Sequence, residues 1–358
     1  MQTESRRLYK LDNLKLLLIF LVVLGHVADL YADASRATGC LRFIIYSFHM
    51  PLFLFVSGLV GKRNIRERRY DHIAAYFFLF VFIKLITFAA NWATTGKLPP
   101  AALFSDRSEP WYAFCLFAFS LITVFLDKLK PAYVLIFSVL LACYAGYDKT
   151  IGDLFNLSRI LVFYPFFYLG YWLDAETVCA FFSKKRLIPI ALALLAVGIV
   201  ITVVFYDKIS YAKYFFTGRQ PYRIILRSPE WGVTHRLLCY AVSVLAGCAV
   251  LTLTPQRRLG FLTGVGARSV QIYALQRTAM ILYFRLLNKP FHLEGCFTSR
   301  LILYEVLVSL GVTAVCALPI WTPLFRAVMH AFRPKSAGES LPDGALPDGQ
   351  EPELKVSK

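Results

Sequence analysis

Residues 11–26 read LDNLKLLLIFLVVLGH, an apolar run with a lysine near its start and a histidine at its end. Such a run predicts a membrane-spanning helix, because about 20 mostly apolar residues cross the hydrocarbon core of a bilayer. At about 100° per residue, Lys15 and His26 lie ~20° apart around the helix and roughly 16 Å apart along its axis. Asp12 precedes Lys15 by three residues and therefore falls on the same side.

Three ionisable side chains on one stripe of a span are costly unless they face protein or a water-filled cavity. Asp12, Lys15 and His26 therefore indicate a functional site in the first span. A structural alternative stays open, in which Lys15 extends its ammonium to the membrane surface and His26 is a hydrogen-bonded interior histidine.

The composition is that of a membrane protein. Of the 358 residues 58% are apolar, whereas soluble domains are about 45–50% apolar. Apolar runs recur along the whole chain, so the predicted fold is all-α, a bundle of about ten transmembrane helices. The net charge of +17 does not indicate a nucleic-acid partner, because the basic residues cluster in short connections between the apolar runs.

Hydropathy predicts ten spans, at residues 14–31, 41–60, 73–92, 111–126, 132–147, 159–173, 187–206, 237–253, 269–287 and 301–325. One set of alternate connections holds 15 Lys and Arg residues, against about five in the short connections of the other set. The positive-inside rule then places the first set, which includes both termini and the basic loop 62–69, in the cytoplasm.

These patterns define two regions. Residues 1–332 form the predicted membrane domain of a multi-pass plasma-membrane protein, and the polar residues 333–358 form a disordered cytoplasmic tail. The connection 207–236 is the largest outward loop, either a specificity element or a simple connector. Cys40 and Cys296 lie at the outer ends of spans, and the sequence leaves open whether they pair.

Other charges within spans call for partners. Arg285 in the ninth span and Glu305 in the tenth lie at similar predicted depth. Because an isolated charge at membrane depth is costly, we expect these two to form a structural ion pair.

The second span contains a histidine close to a proline. Residues 48–58 read FHMPLFLFVSG, with His49 two positions before Pro51. A proline within a helix frees a backbone carbonyl, and broken helix at membrane depth survives only where it is buried or lines a cavity. His49 beside the predicted break is thus a second candidate imidazole in the outer half of the bundle, or else an interface histidine on a kinked helix.

Together these motifs resemble the acyltransferase-3 family of integral-membrane O-acyltransferases, over about residues 8–325. Lys15, ten intervening residues and His26 are similar to the family's opening motif, and residues 48–58 resemble its second span, especially in the fucose 4-O-acetylase-like branch. Arg66 and Arg69 match its RxxR motif before the third span.

The resemblance implies transfer of an acyl group, usually acetyl, from cytoplasmic acyl-CoA to a hydroxyl of a cell-surface or lipid-linked carbohydrate. A sugar hydroxyl is a weak nucleophile, so a neutral imidazole is a suitable general base. We assign this role to His26, with His49 as the second catalytic candidate.

The donor is expected at the other end of the first span. Lys15 would meet the phosphates of acetyl-CoA, and Asp12 would hold Lys15 in place or simply neutralise it. Arg66 and Arg69 would grip phosphates bidentately, although membrane topology alone also favours basic residues there.

Substrate binding is assigned to five further residues: Trp111, Tyr112, Arg159, Tyr273 and Gln276. Trp111 and Tyr112 could instead be aromatic anchors at the membrane surface. Gln276 departs from relatives that often carry His at this position, which would place activity in doubt if that His were essential.

No permanently bound cofactor and no metal is expected, since acetyl-CoA is a donor substrate. The expected partners are acetyl-CoA, a carbohydrate acceptor and the lipid bilayer. Two other functions remain open: a transporter or flippase, which would also use buried charges and a broken helix, and a non-catalytic membrane module that binds a ligand.

Overall fold

The structure is a computed structural model and describes residues 8–33, 35–98, 110–152, 154–287 and 298–330. Within these residues the chain is helical and has no β-strand, which confirms the all-α class. The helices are α1 Tyr9–Asp29, α2 Arg36–Arg66, α3 Tyr70–Thr95, α4 Trp111–Leu126, α5 Pro131–Tyr144, α6 Leu157–Trp172, α7 Ala175–Phe181, α8 Ile188–Ile209, α9 Lys213–Thr217, α10 Tyr222–Ile225, α11 Gly232–Leu253, α12 Phe261–Ala267, α13 Ser269–Leu282, α14 Thr298–Cys316 and α15 Thr322–His330. The predicted tail 333–358 and Cys296 lie outside the described residues.

Every predicted span coincides with a helix, but several of these helices are short. In the described part of the chain, five helical segments are long and apolar enough to cross a membrane singly: α1, α2, α3, Lys185–Thr217 and Pro229–Leu253. Helices such as α4, with 16 residues, rise only about 24 Å against a hydrocarbon core of about 30 Å. The structure thus supports a multi-spanning helical bundle, while the number of ten spans and the orientation stay predictions.

Helices α1 and α2 form the centre of the bundle. In each, 67% of the most apolar window is buried, compared with 11% in the segment Lys185–Thr217 that contains α8. Helix α1 packs against α2, α12, α13 and α14, and α2 packs most extensively against α6. Polar residues on α1 and α2 are therefore enclosed by protein, whereas the apolar side chains of α8 face outward.

The contact between α2 and α6 depends on two glycines. A Cβ atom at Gly58 would collide with the carbonyl oxygen of Phe167, and one at Gly170 would collide with the carbonyl oxygen of Phe55. Small residues let helix backbones approach closely in membrane proteins. This crossing fixes the position of α2 in the bundle.

Helix α2 is not broken at Pro51, contrary to the prediction from the sequence. It is continuous from Arg36 to Arg66. Proline lacks the N–H that would bond the carbonyl four residues earlier, at Ser47, and the hydroxyl of Ser243 on α11 donates to that carbonyl at 2.5 Å. A neighbouring helix thus replaces the missing hydrogen bond.

Most of the predicted loop 62–69 is also helical, since α2 continues as far as Arg66.

The tenth predicted span is bent. The segments Arg300–Cys316 and Pro319–Met329 meet at 47°. Side chains of the ninth-span region satisfy carbonyls freed at the bend: Arg268 donates to the carbonyl of Ala317 at 2.5 Å, and Gln271 donates to that of Leu318 at 3.0 Å.

The expected ion pair between Arg285 and Glu305 is absent from the described residues, so that prediction is wrong. Arg285 donates to the hydroxyl of Thr94 at 3.2 Å. Glu305 is fully buried and accepts from the hydroxyl of Thr38 at 2.9 Å. The two side chains have different partners in the folded bundle, although the sequence placed them at similar depth.

The 207–236 segment is folded against the bundle instead of forming an open loop. Tyr222 is fully buried, and its ring lies where Cβ atoms at Gly146 and Gly232 would collide with it. Its hydroxyl donates to the carbonyl of Cys143 at 2.7 Å. The buried Arg236 donates to the carbonyl of Phe215 at 2.5 Å. These contacts give the segment, with α9 and α10, a defined position.

Candidate functional site

A cavity of about 660 Å³ lies at the end of the bundle where α1 ends and α2 begins. Four residues proposed from the sequence line it: His26, His49, Trp111 and Arg159. Its volume is within the range of about 300–1,000 Å³ typical of small-molecule sites. The structure therefore brings together both candidate imidazoles and two of the candidate substrate-binding residues.

His26 lies near a carboxylate. One helical turn places Asp29 beside it, with 3.9 Å between the His26 Nδ1 and an Asp29 oxygen. This distance suits an electrostatic contact and is longer than a hydrogen bond. With Nδ1 turned toward Asp29, Nε2 lies on the opposite side of the imidazole ring.

Two side chains of α2 hold Asp29. Arg42 donates to one carboxylate oxygen at 3.3 Å, and the hydroxyl of Tyr46 donates to the other. Arg42, Tyr46 and His49 are spaced by four and three residues, so they share one face of α2. The ends of α1 and α2 thereby form a connected polar group on the cavity wall.

His49 is buried, with only 4% of its surface exposed, and its Nδ1 lies 2.7 Å from the carbonyl oxygen of Ile45. Because a carbonyl oxygen only accepts, Nδ1 carries the hydrogen and Nε2 is left as an acceptor. The neighbouring ring of Tyr46 packs edge-on at 5.1 Å. His49 is therefore an imidazole held in a fixed orientation on the cavity wall.

A cationic and aromatic wall faces these residues. The guanidinium of Arg159 lies 4.8 Å from the centre of the Trp111 ring and donates to Asn156 Oδ1 at 3.1 Å. Trp111 in turn stacks on Phe163 at 5.3 Å. An indole in contact with a guanidinium offers an apolar face beside charged hydrogen-bond donors, which suits a polar ring such as a sugar.

The 207–236 segment supplies the remaining wall, through residues that include Lys213, Thr217 and Arg219. The hydroxyl of Ser158 donates to the carbonyl of Gly218 at 2.7 Å, between the last two of these. The predicted outward connection is therefore a part of the cavity.

Three proposed substrate-binding residues lie outside the cavity lining. Tyr112 is buried, its hydroxyl is 2.7 Å from that of Ser57, and its ring packs against Tyr273 at 5.0 Å. Gln276 is fully buried, and among the described residues neither polar atom of its side chain has a hydrogen-bond partner. Its neighbour Arg277 lines the cavity instead. The geometry gives no support to substrate contacts by Tyr112, Tyr273 or Gln276.

Lys15 and Asp12 lie at the opposite end of α1. The Lys15 ammonium is 3.1 Å from an Asp12 oxygen, and both side chains are largely enclosed. Asn13 fixes the chain here, donating to the carbonyls of Pro255 and Arg257 at 2.9 Å. Eleven residues separate Lys15 from His26, a rise of about 16 Å, so the two cannot contact one small reacting group.

Arg66 and Arg69 also lie away from the cavity. Arg66 is the last residue of α2 and exposed, with its guanidinium 5.9 Å from the centre of the Tyr171 ring. Arg69 is half-buried and follows Arg68, whose φ is +50° in the turn before α3. Along α2, Arg66 is roughly 36 Å from Arg42. These arginines belong to the other end of the bundle.

Sequence reasoning missed several cavity residues. Asp29 could have been found, because an acid three residues after a histidine shares its helix face. The spacing of Arg42, Tyr46 and His49 was a second sequence pattern that indicates the site, because it places the three residues on one face of α2. No local pattern predicts that Arg219 and Arg277 line the same cavity, since this depends on how distant segments pack.

The family model for an acyltransferase domain of the acyltransferase-3 type matches residues 8–321. No curated protein and no solved structure matches the chain. The match covers nearly the whole described bundle, including both ends of α1 and α2 and the cavity. The chain therefore belongs to the acyltransferase-3 family, and with its apolar helices it is a membrane acyltransferase.

Proposed function

We propose that this protein moves an acetyl group from cytoplasmic acetyl-CoA to a hydroxyl of a cell-surface or lipid-linked carbohydrate. The observation that carries the proposal is the cavity, in which His26 stands beside Asp29 and faces the wall formed by Trp111 and Arg159. An imidazole, a carboxylate behind it and a site of suitable size are the components that general-base acyl transfer needs.

His26 is the general base in this proposal. Its Nε2 takes the proton of the acceptor hydroxyl while the hydroxyl oxygen attacks the thioester carbonyl carbon. The carbon–sulfur bond then breaks, and the CoA sulfur leaves and takes up the proton from His26. The products are an acetyl ester and free CoA, and the imidazole returns to its neutral form.

Asp29 acts on the reaction through His26, as a positioning residue. Its negative charge near Nδ1 favours the ring orientation that turns the other nitrogen to the acceptor, and it stabilises the imidazolium that forms. Arg42 and Tyr46 hold Asp29 in turn. His49, which also lines the cavity, is the alternative base.

The donor enters from the opposite end. Lys15, kept in place by Asp12, and the arginines Arg66 and Arg69 provide cations for the CoA phosphates. The long pantetheine arm of CoA suits the separation of about 16 Å between Lys15 and His26. With the basic connections in the cytoplasm, the cavity opens outward in a plasma-membrane protein.

The continuous α2 removes one argument for a transporter, because the expected helix break at Pro51 is not present. A transporter should also leave acetyl-CoA unchanged, which separates the two functions experimentally.

The test uses the full-length protein in proteoliposomes that contain membrane glycans from the native cell, with radiolabelled acetyl-CoA. We expect label in the glycan fraction, and mass spectrometry of surface glycans with and without the protein should show the ester. His235→Ala is a matched control, since His235 is a half-buried histidine outside the cavity lining. Labelling that is absent with the wild type, or unchanged in both His26→Ala and His49→Ala, would contradict the proposal.

A further inference from the structure

Two histidines of this chain make the same contact with their own helix. The Nδ1 of His49 lies 2.7 Å from the carbonyl oxygen of Ile45, and the Nδ1 of His235 lies 2.8 Å from that of Trp231, four residues earlier in each case. In each ring Nδ1 therefore donates to the helix backbone and Nε2 remains as an acceptor. The two histidines differ in what meets Nε2.

A hydroxyl group meets the acceptor nitrogen of His235, whose Nε2 lies 3.1 Å from the hydroxyl of Tyr211. In the part of the chain that the structure describes, no hydrogen bond reaches the Nε2 of His49. His49 is only 4% exposed, and it lines the cavity together with His26. An acceptor nitrogen on the wall of a ligand site is thus left for the ligand to satisfy, because a buried acceptor without a donor costs free energy.

His26 and His49 belong to one wall of the cavity. The carboxylate of Asp29 lies 3.9 Å from the Nδ1 of His26 and accepts from the hydroxyl of Tyr46. The ring of Tyr46 packs edge-on against that of His49 at 5.1 Å. A sugar that is bound at His26 therefore borders the wall that carries His49.

We infer that His49 accepts a hydrogen bond from a second hydroxyl of the sugar that is acetylated, so that the enzyme selects acceptors with at least two free hydroxyls on the reacting sugar. The inference rests on the proposed function, in which His26 takes the proton of the attacked hydroxyl, and it specifies the acceptor. In this role His49 binds the substrate and transfers no proton.

The contact selects between acceptors because a bound sugar excludes water. Before a ligand binds, water can donate to the Nε2 of His49, but a sugar in the cavity displaces that water. A sugar with a hydroxyl at this position replaces the lost hydrogen bond, whereas an ether or ester there leaves Nε2 unsatisfied. Sites built to bond a substrate hydroxyl reject analogues without it for this reason.

The test replaces His49 by two amides that reproduce different parts of the imidazole. Asn places its amide nitrogen near the position of Nδ1, where it can keep the bond to the Ile45 carbonyl, but it has no polar atom at the position of Nε2. Gln reaches the position of Nε2 and can present a carbonyl oxygen there. That oxygen accepts a hydrogen bond but is not a general base at neutral pH.

Both variants are assayed as full-length proteins in the proteoliposomes with native membrane glycans and radiolabelled acetyl-CoA. We expect His49→Asn to lower kcat/KM for the glycan by about 10- to 100-fold, since it loses one buried hydrogen bond to the substrate. His49→Gln should recover part of that loss, and the KM for acetyl-CoA should stay unchanged in both. Mass spectrometry of the wild-type product should show a further free hydroxyl on the acetylated sugar.

His235→Asn and His235→Gln are the matched controls, because His235 makes the same backbone contact outside the cavity lining. Both should keep the kcat/KM of the wild type for the glycan. Normal elution on size exclusion, together with an unchanged KM for acetyl-CoA, would show that the His49 variants are folded. If His49→Asn does not fold, the position of the ester on the wild-type product still tests the inference.

Wild-type kinetics in His49→Asn, no recovery in His49→Gln, or an acetylated sugar without a further free hydroxyl would overturn the inference. Each of these results leaves the proposed function standing, provided that wild-type label reaches the glycan and His26→Ala loses it. Absence of labelling with the wild type would instead end the proposed function, and this inference with it.

Discussion

Both ends of the α1–α2 pair carry charged side chains, but only at the His26 end do these side chains line the cavity described above. At one end Lys15 is paired with Asp12, and Arg66 is exposed over a tyrosine ring. At the other end Arg42 and Asp29 belong to a wall that surrounds a cavity of about 660 Å³. Membrane topology explains basic residues at the first end. It does not explain a cavity lined by two histidines and an aspartate at the other end, so that end carries the stronger indication of chemistry.

The largest effect should come from His26. Replacement by Ala should lower acetyl transfer by about 10²–10⁴-fold, because the reaction loses its general base, while expression and acetyl-CoA binding stay near normal. Initial rates in proteoliposomes measure this. A near-normal rate in His26→Ala together with a large loss in His49→Ala would move the base to His49.

Asp29→Asn should have the next largest effect. We expect kcat to fall by about 10- to 100-fold, in keeping with the loss of a hydrogen bond or charge contact to an ionised group, with the KM for acetyl-CoA unchanged. Asp29→Glu should recover part of kcat. A change in acetyl-CoA KM alone would show that Asp29 acts on the donor and not through His26.

The close contact of α2 and α6 at Gly58 and Gly170 lies between the two ends of α2, and its contribution to stability can be tested. Gly170→Ala should destabilise the protein by about 1–3 kcal/mol, since the added methyl forces α2 and α6 apart. Thermal unfolding in detergent measures this. Gly198→Ala on α8 is the matched control, because nothing lies within 4 Å of a Cβ there. Equal melting temperatures for the two variants would contradict the close crossing.

The smallest effect is expected from Lys15. Lys15→Ala should raise the KM for acetyl-CoA by about threefold to tenfold, the range of a partly solvated ionic contact. Lys15→Arg should keep substantial activity because the charge remains. A Lys15→Ala enzyme with normal donor KM and altered acceptor use would place this lysine in the acceptor site.

The positions of the helices could be predicted because long apolar runs indicate segments that cross a membrane. The continuity of α2 was not, because the hydroxyl that bonds to the Ser47 carbonyl comes from Ser243, 196 residues away in the chain. The bend between α14 and α15 similarly depends on Arg268 and Gln271 reaching the carbonyls of another segment. Local patterns contain no information on such distant partners.

The candidate site could likewise be predicted only in part from local sequence. His26 and His49 stood out because ionisable residues in apolar runs are rare. Arg219 and Arg277 come from separate segments that only the folded bundle brings to the cavity. Gln276 was proposed from the family resemblance, at a position where relatives often carry His, yet its neighbour Arg277 is the residue that lines the cavity.

In the proposed reaction the donor enters at the Arg66 end of the bundle and acyl transfer occurs at the His26 end. Sealed vesicles of uniform orientation test it, with Glu67→Cys labelled by an impermeant maleimide to identify the side on which the exposed α2–α3 turn lies. Radiolabelled acetyl-CoA is then supplied from one side at a time. We expect acetyl transfer only when acetyl-CoA is on the side where position 67 is labelled. Transfer supported only from the cavity side would contradict it.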